Sequence, residues 1–155
     1  MIRVKYPMFT LCMLYLLLVQ DTTGILRISL LSSLLHEIGH VMVWIYYKKS
    51  LPELTLSPTG IGLQIVPWDF TSRQMVLLAA AGPLINLICA AAAQIYMVWR
   101  HASYWLFFFG TVNLLVGGFN LLPFGALDGR RILQAVYKLY TKEHPRNLNV
   151  KNRHY

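Results

Sequence analysis

The chain has 155 residues, of which 56% are hydrophobic and 13% charged, with a mean hydropathy of +0.49. A soluble domain carries about a quarter charged residues, so an ordinary water-facing fold is excluded and a single lipid-embedded domain is implied. The net charge of +8 does not point to nucleic acid, because Lys and Arg gather at the ends of apolar segments rather than in one patch, and Cys12 and Cys89, both within apolar stretches, imply neither a disulfide framework nor a thiolate metal site.

Met1 to Lys5 is a short basic start, followed by an apolar run from Tyr6 to Val19. That combination fits a signal peptide, although no A-x-A-like cleavage site follows, or a short spanning helix that thins the bilayer locally. After the polar turn Gln20 to Gly24, a second apolar segment runs to Tyr47. At a rise of about 1.5 Å per residue, its ~24 residues reach roughly 36 Å, enough to cross a membrane. Lys48 and Lys49 follow at once, which assigns that end to the cytosol by the positive-inside rule.

In the middle of this segment stands Leu35-His36-Glu37-Ile38-Gly39-His40, an HExxH box. Histidines at i and i+4 share one face of a helix, so one metal ion can take both imidazoles. Glu37 sits beside that position, where its carboxylate can accept a proton from an activated water. The box therefore reads as zinc with a general base. Elsewhere in the segment the strongly polar side chains are Arg27, Ser29, Ser32 and Ser33. An ionisable cluster is costly in such surroundings and is rarely present without a use. The alternative is a pair of buried histidines bonded to neighbouring helices.

Glu53 to Leu56 and Ile61 to Val66 alternate around Ser57-Pro58-Thr59-Gly60, which predicts a β-hairpin. Its apolar positions Leu54, Leu56, Ile61, Leu63 and Ile65 suggest that it dips into the membrane interface. Its edge either pairs with an extended substrate or belongs to an ordinary connector. Met75 to Trp99 is the third apolar segment and contains Ala80-Ala81-Gly82-Pro83-Leu84-Ile85-Asn86. The small residues permit close helix packing, and Pro83 frees a backbone carbonyl. Asn86 needs a partner, either a neighbouring helix or a substrate backbone near the metal.

After Arg100 and His101, Ser103 to Leu122 crosses back, and Pro123 and Gly125 break the helix. Irregular backbone at membrane depth is tolerated where it is buried or lines a cavity. Asp128 stands just beyond the break and is the natural third ligand, since after Asp69 the one other carboxylate is Glu143 in the polar tail. Ile132 to Tyr140 reads as a short helix with apolar and basic faces. Residues 141–155 read as a disordered, basic, cytosolic tail, with His144 and His154 solvated rather than ligating. Of the 14 Lys and Arg residues, Arg27 and Arg100 alone lie at the proposed outer ends, which predicts cytosolic N- and C-termini. The expected fold is an all-α integral membrane protein of about four transmembrane helices with a small membrane-associated β-hairpin after the second. Residues 1–140 form its membrane domain and 141–155 its tail.

Three motifs in this order on successive apolar segments resemble the site-2 protease family of intramembrane zinc metalloproteases. They are His36-Glu37-Ile38-Gly39-His40, then Ala81-Gly82-Pro83-Leu84-Ile85-Asn86, then Asn120-Leu121-Leu122-Pro123 with Leu127-Asp128-Gly129. The resemblance implies that His36, His40 and Asp128 bind Zn2+, that Glu37 is the catalytic acid/base, and that Asn86 and Asn120 hold the substrate chain. The compact hairpin is similar to the branch of the bacterial sporulation protease, with no PDZ insertion and no regulatory CBS domain expected. This implies a multi-pass protein of the bacterial cytoplasmic membrane that cleaves a membrane-tethered protein in or near its transmembrane segment. Single-span or membrane-associated substrates and regulatory membrane proteins are the expected partners, and nucleic acid is not. Family members usually carry Pro two residues before the Asp and Gly-Gly after it, where this chain has Ala126 and Gly129-Arg130. Two rivals remain: a catalytically inactive membrane protein of the same fold that sequesters its client, and a metal transporter. A transporter predicts inverted repeats or a chain of ligands, and the sequence displays neither.

Overall fold

The computed structural model describes residues 2–4, 7–57, 60–63, 70–101 and 103–143. Along them run β1 (Ile2–Val4), α1 (Pro7–Gln20), α2 (Ile25–Lys48), β2 (Leu54–Ser57), β3 (Gly60–Leu63), α3 (Ser72–Trp99), α4 (Tyr104–Asn120) and α5 (Asp128–Glu143). The central helix is α3, which packs against α2, α4 and α5, while α2 also meets α4. Small residues set the close approaches: Gly39 of α2 lies on the Ala81 carbonyl, and Gly117 of α4 on the Pro83 carbonyl. Pro83 is fully buried, and α3 runs through it.

Local chemistry fixes the helix ends. A capping box opens α3: Gln74 N donates to Thr71 Oγ1 at 3.3 Å and Thr71 N donates to Gln74 Oε1 at 3.0 Å. Ahead of α2, Asp21 Oδ2 accepts from Arg27 N at 3.1 Å and so satisfies a first-turn donor. At the far end Lys49 turns left-handed, and its N–H bonds Ile45 O at 2.9 Å.

The strands form one sheet in the order β1-β2-β3, with β1 parallel to β2 and β2 antiparallel to β3 from Leu54↔Leu63 to Ser57↔Gly60. Residues 1–5 were expected to be only a basic start, yet β1 takes up the outer edge of β2. Among the described residues, the outer edge of the hairpin therefore belongs to β3, which also contacts α2. Pro58 and Thr59 of the expected turn, Ile65 and Val66 of the expected second strand, and the tail from 144 with His144 and His154 lie outside the described residues.

Trp44, Phe70 and Leu78 form a buried cluster, with Val41 and Met75 packed on it. Much of the remaining apolar surface points outward. Leu77, Leu84, Ile88, Ile95 and Trp99 are all exposed along α3, and most of α1 is exposed as well. Two helices, α2 and α3, are long and apolar enough to cross a membrane, with hydropathies of 1.4 and 2.1. An apolar surface of this extent suits lipid rather than water.

Candidate metal centre

The buried positions of α2 are Ser32, His36, Gly39, His40 and Trp44, one stripe at helical spacing that faces α3 and α4. His36 and His40 thus point inward together. Their counterpart arrives from the irregular stretch after α4, which ends where Asp128 opens α5. The sequence reading started this last helix at Ile132; it starts four residues earlier, and Gly129 in its first turn presses against the Leu121 carbonyl. No side chain could be accommodated at position 129 without displacing that backbone.

His36 Nε2 lies 3.0 Å from Asp128 Oδ2, His40 Nε2 lies 3.1 Å from the same oxygen, and the two Nε2 atoms are 3.1 Å apart. All three side chains are buried. His40 Nδ1 donates to the Leu78 carbonyl at 2.8 Å. A carbonyl can only accept, so the proton of His40 sits on Nδ1 and Nε2 presents its lone pair inward. Two imidazole nitrogens and a carboxylate oxygen with edges of 3.0–3.1 Å fit a shared cation. Tetrahedral bonds of about 2.0 Å give edges of roughly 3.3 Å.

The backing of this triangle is specific. Asp128 Oδ1 accepts from Arg131 Nη1 at 3.0 Å. Arg130, which replaces the second glycine of the usual pattern, turns away and donates to the Gly125 carbonyl at 3.0 Å. Ala126 is exposed. Gly82 of α3 lies directly against both imidazoles. Glu37 is half-buried, and its Oε2 is buried with no hydrogen-bond partner among the described residues, as is His36 Nδ1.

Of the six residues singled out from the sequence, His36, His40 and Asp128 converge and Glu37 lies beside His36 in the chain. Asn86 and Asn120 are not part of this group, and both donate to backbone carbonyls. Asn86 is fully buried, with Nδ2 donating to Ser32 O at 3.4 Å and Oδ1 without a partner among the described residues. Asn120 Nδ2 donates within its own helix to Val116 O at 2.9 Å. Sequence reasoning missed Ser32, Asn113, Arg131 and the ring contact of Gly82. Asn113 is fully buried and donates from Nδ2 to Ser32 Oγ at 3.0 Å and Phe109 O at 2.9 Å. A lone amide inside the apolar run of α4 was a signal of the same kind as Asn86.

Comparison with known proteins places this site. The model of peptidase family M50 matches residues 95–154, a stretch that holds Asp128. The zinc metalloprotease MJ0392 of Methanocaldococcus jannaschii is 31% identical over 110 residues, covering 68% of this chain and 32% of that protein. The putative zinc metalloprotease Rip3 of Mycobacterium tuberculosis is 33% identical over 119 residues, covering 70% of this chain and 30% of that protein. The chain thus spans about a third of the length of these curated relatives. The solved structure of the site-2 protease from Methanocaldococcus jannaschii superposes with a TM-score of 0.62 at 26% identity, over 92% of this chain and 68% of that one. Sequence relatives, superposed fold and the converging His36, His40 and Asp128 agree in matching the chain to the site-2 protease family, peptidase family M50.

Proposed function

We propose that this chain is a zinc-dependent intramembrane endopeptidase that cleaves a membrane-tethered protein in or near its transmembrane segment. The observation that carries this reading is the triangle of His36 Nε2, His40 Nε2 and Asp128 Oδ2, with edges of 3.0–3.1 Å, beside a glutamate whose buried Oε2 has no hydrogen-bond partner among the described residues. His36, His40 and Asp128 would hold the zinc ion, which would supply Lewis acidity to acidify a water and to stabilise negative charge on a carbonyl oxygen. Glu37, next to His36 in the chain, is the group that would accept a proton from an attacking water and return it to the leaving amine. The Leu78 carbonyl holds His40 in the ligating tautomer, and Arg131 fixes the second oxygen of Asp128.

In this reading α1 to α4 are the transmembrane helices, the hairpin rests at the membrane surface, and both termini are cytosolic. Residues 1–140 form the catalytic domain in a bacterial cytoplasmic membrane, and the stretch beyond is a basic cytosolic tail. A helical substrate hides its carbonyls in internal hydrogen bonds and must unwind before cleavage. The edge of β3, Asn86, whose Oδ1 has no hydrogen-bond partner among the described residues, and Asn120 at the end of α4 are the groups that take up the unwound strand.

The test is a co-expression cleavage assay on a candidate single-span substrate. Glu37→Gln and Asp128→Asn are each expected to lower the rate at least about 100-fold. Zinc analysis of His36→Ala/His40→Ala checks the ligand set independently, and stoichiometric metal in that double variant refutes it. A wild type that leaves every copurifying membrane partner intact supports a sequestering protein of the same fold instead.

A further inference from the structure

A cavity of about 90 Å³ lies between the start of α3 and the face of α5 that carries residues 131, 134, 135 and 138, and the proposed hydrolysis does not use it. Phe70 and Met75 supply apolar lining. Arg131, Gln134 and Lys138, on successive turns of one face of α5, supply polar lining together with Ser72. No Asp or Glu lines the cavity among the described residues. Lys48 adds a third cation, its Nζ 4.8 Å from the centroid of the Phe70 ring. Ser72 lies in the first turn of the 28-residue α3, so the positive pole of that helix adds to the same field. Arg131 gives Nη1 to Asp128 at 3.0 Å, yet its side chain is 37% exposed and its guanidinium carries more donors than Asp128 takes.

Charge, donors and volume agree on a small anion. The space is enough for one phosphate group. Beside it, Leu133, Val136 and Tyr137 of α5 are exposed apolar side chains, as expected of a helix lying along a membrane surface. We propose that this cavity is a phosphate site, filled by the headgroup of an anionic phospholipid whose chains lie against the exposed apolar side of α5. The lipid source rests on the membrane reading of the chain, whereas the anion site does not. Because Arg131 also holds Asp128, the occupant sits one side chain away from the metal ligands.

The experiment titrates the purified full chain in neutral detergent with short-chain phosphatidylglycerol and, separately, with inorganic phosphate. Wild type is compared with Lys138→Ala, with Gln134→Ala/Lys138→Ala, and with the off-site Lys49→Ala. Saturable lipid binding is expected, weakened about fivefold by Lys138→Ala, further in the double variant, and less than about twofold by Lys49→Ala. Inorganic phosphate that binds as tightly as the lipid, with the same dependence on Lys138, upholds the anion site and overturns the lipid source. Absence of saturable binding by either ligand, or equal weakening by Lys138→Ala and Lys49→Ala, overturns the site. A chain that cleaves no substrate but binds lipid through Lys138 leaves this proposal standing, so it and the protease reading fail separately.

Discussion

Gly82 decides how closely α3 can approach the two imidazoles. A Cβ there would sit 2.7 Å from His40 Cε1 and 2.8 Å from His36 Nε2, so Gly82→Ala must turn the rings or push α3 away. Metal affinity is expected to fall at least about 10-fold while helix content stays unchanged. A competition titration with a chromophoric chelator measures the first and circular dichroism the second, and wild-type affinity in this variant would disprove the contact. The two neighbouring arginines make a sharper comparison. Arg131 holds Asp128 and Arg130 holds the Gly125 carbonyl, so Arg131→Ala is expected to weaken metal binding about 10-fold and Arg130→Ala to leave it unchanged. The reverse order would mean that the Gly-to-Arg departure at position 130, not Arg131, governs the ligand. The pairing of His36 and His40 was legible, because the two need only helical spacing to meet. The ring contact of Gly82 was not, since a small residue in an apolar helix specifies close packing but not the group it packs against.

At the scale of the element, the informative error was the start of α5. Breaking the chain at Pro123 and Gly125 and restarting it at Ile132 left Arg131 outside any helix, but a helix that begins at Asp128 puts residue 131 at i+3, on the face of the carboxylate. β1 was illegible for another reason. Three residues carry no usable period, and their pairing with β2 is a contact across some 50 positions that no local pattern encodes. Helix α2 is held at two points. At its middle, Ser32 gives its carbonyl to Asn86 and its hydroxyl to Asn113, clasping α2, α3 and α4 one turn before His36. Asn113→Ala removes a donor from a fully buried site and is expected to cost about 1–2 kcal/mol in unfolding measurements. No loss would mean that the clasp contributes nothing net. At its start, desolvation alone would raise the Asp21 carboxyl, but the backbone N–H groups of Arg27 and Leu26, the Thr23 hydroxyl and the Arg27 charge hold it below the ordinary carboxylate range. A depressed folded pKa gives stability that is present above the unfolded value, near about 4, and is lost as pH falls through the lower folded value. Asp21→Asn is therefore expected to lower the unfolding midpoint at pH 7, with the gap to wild type closing below about pH 4. A gap independent of pH would remove this carboxylate from the stability of α2.

For the whole molecule, the two ends of the bundle differ in chemistry. At one end Gly24 faces the Trp105 ring, so the start of α2 and the start of α4 lie together, with Arg100 closing α3 just before α4 begins. At the other end Lys48 stacks on Phe70, Ser72 opens α3, and Arg131 and Lys138 line the cavity beside them. The cations of the described helices are therefore concentrated at the second end, the asymmetry that the positive-inside rule reads as cytosolic. His40 is eight residues from the end of α2, roughly 12 Å along the helix, so the metal centre lies nearer this end than the opposite one. Reporter fusions after Lys49 and after Lys142 are expected to report the cytosol, and a fusion after Arg100 the opposite side. Substituting Lys48 and Lys49 by Gln should weaken that orientation, whereas neutralising Lys138, which follows the last proposed span, should not. If the fusion after Lys49 reported the outer side, the ligands would sit near the outer face and the cavity between α3 and α5 would face the outer leaflet. The chemistry of His36, His40 and Asp128 would survive that result, but a substrate would have to present its unwound strand from the other side of the membrane.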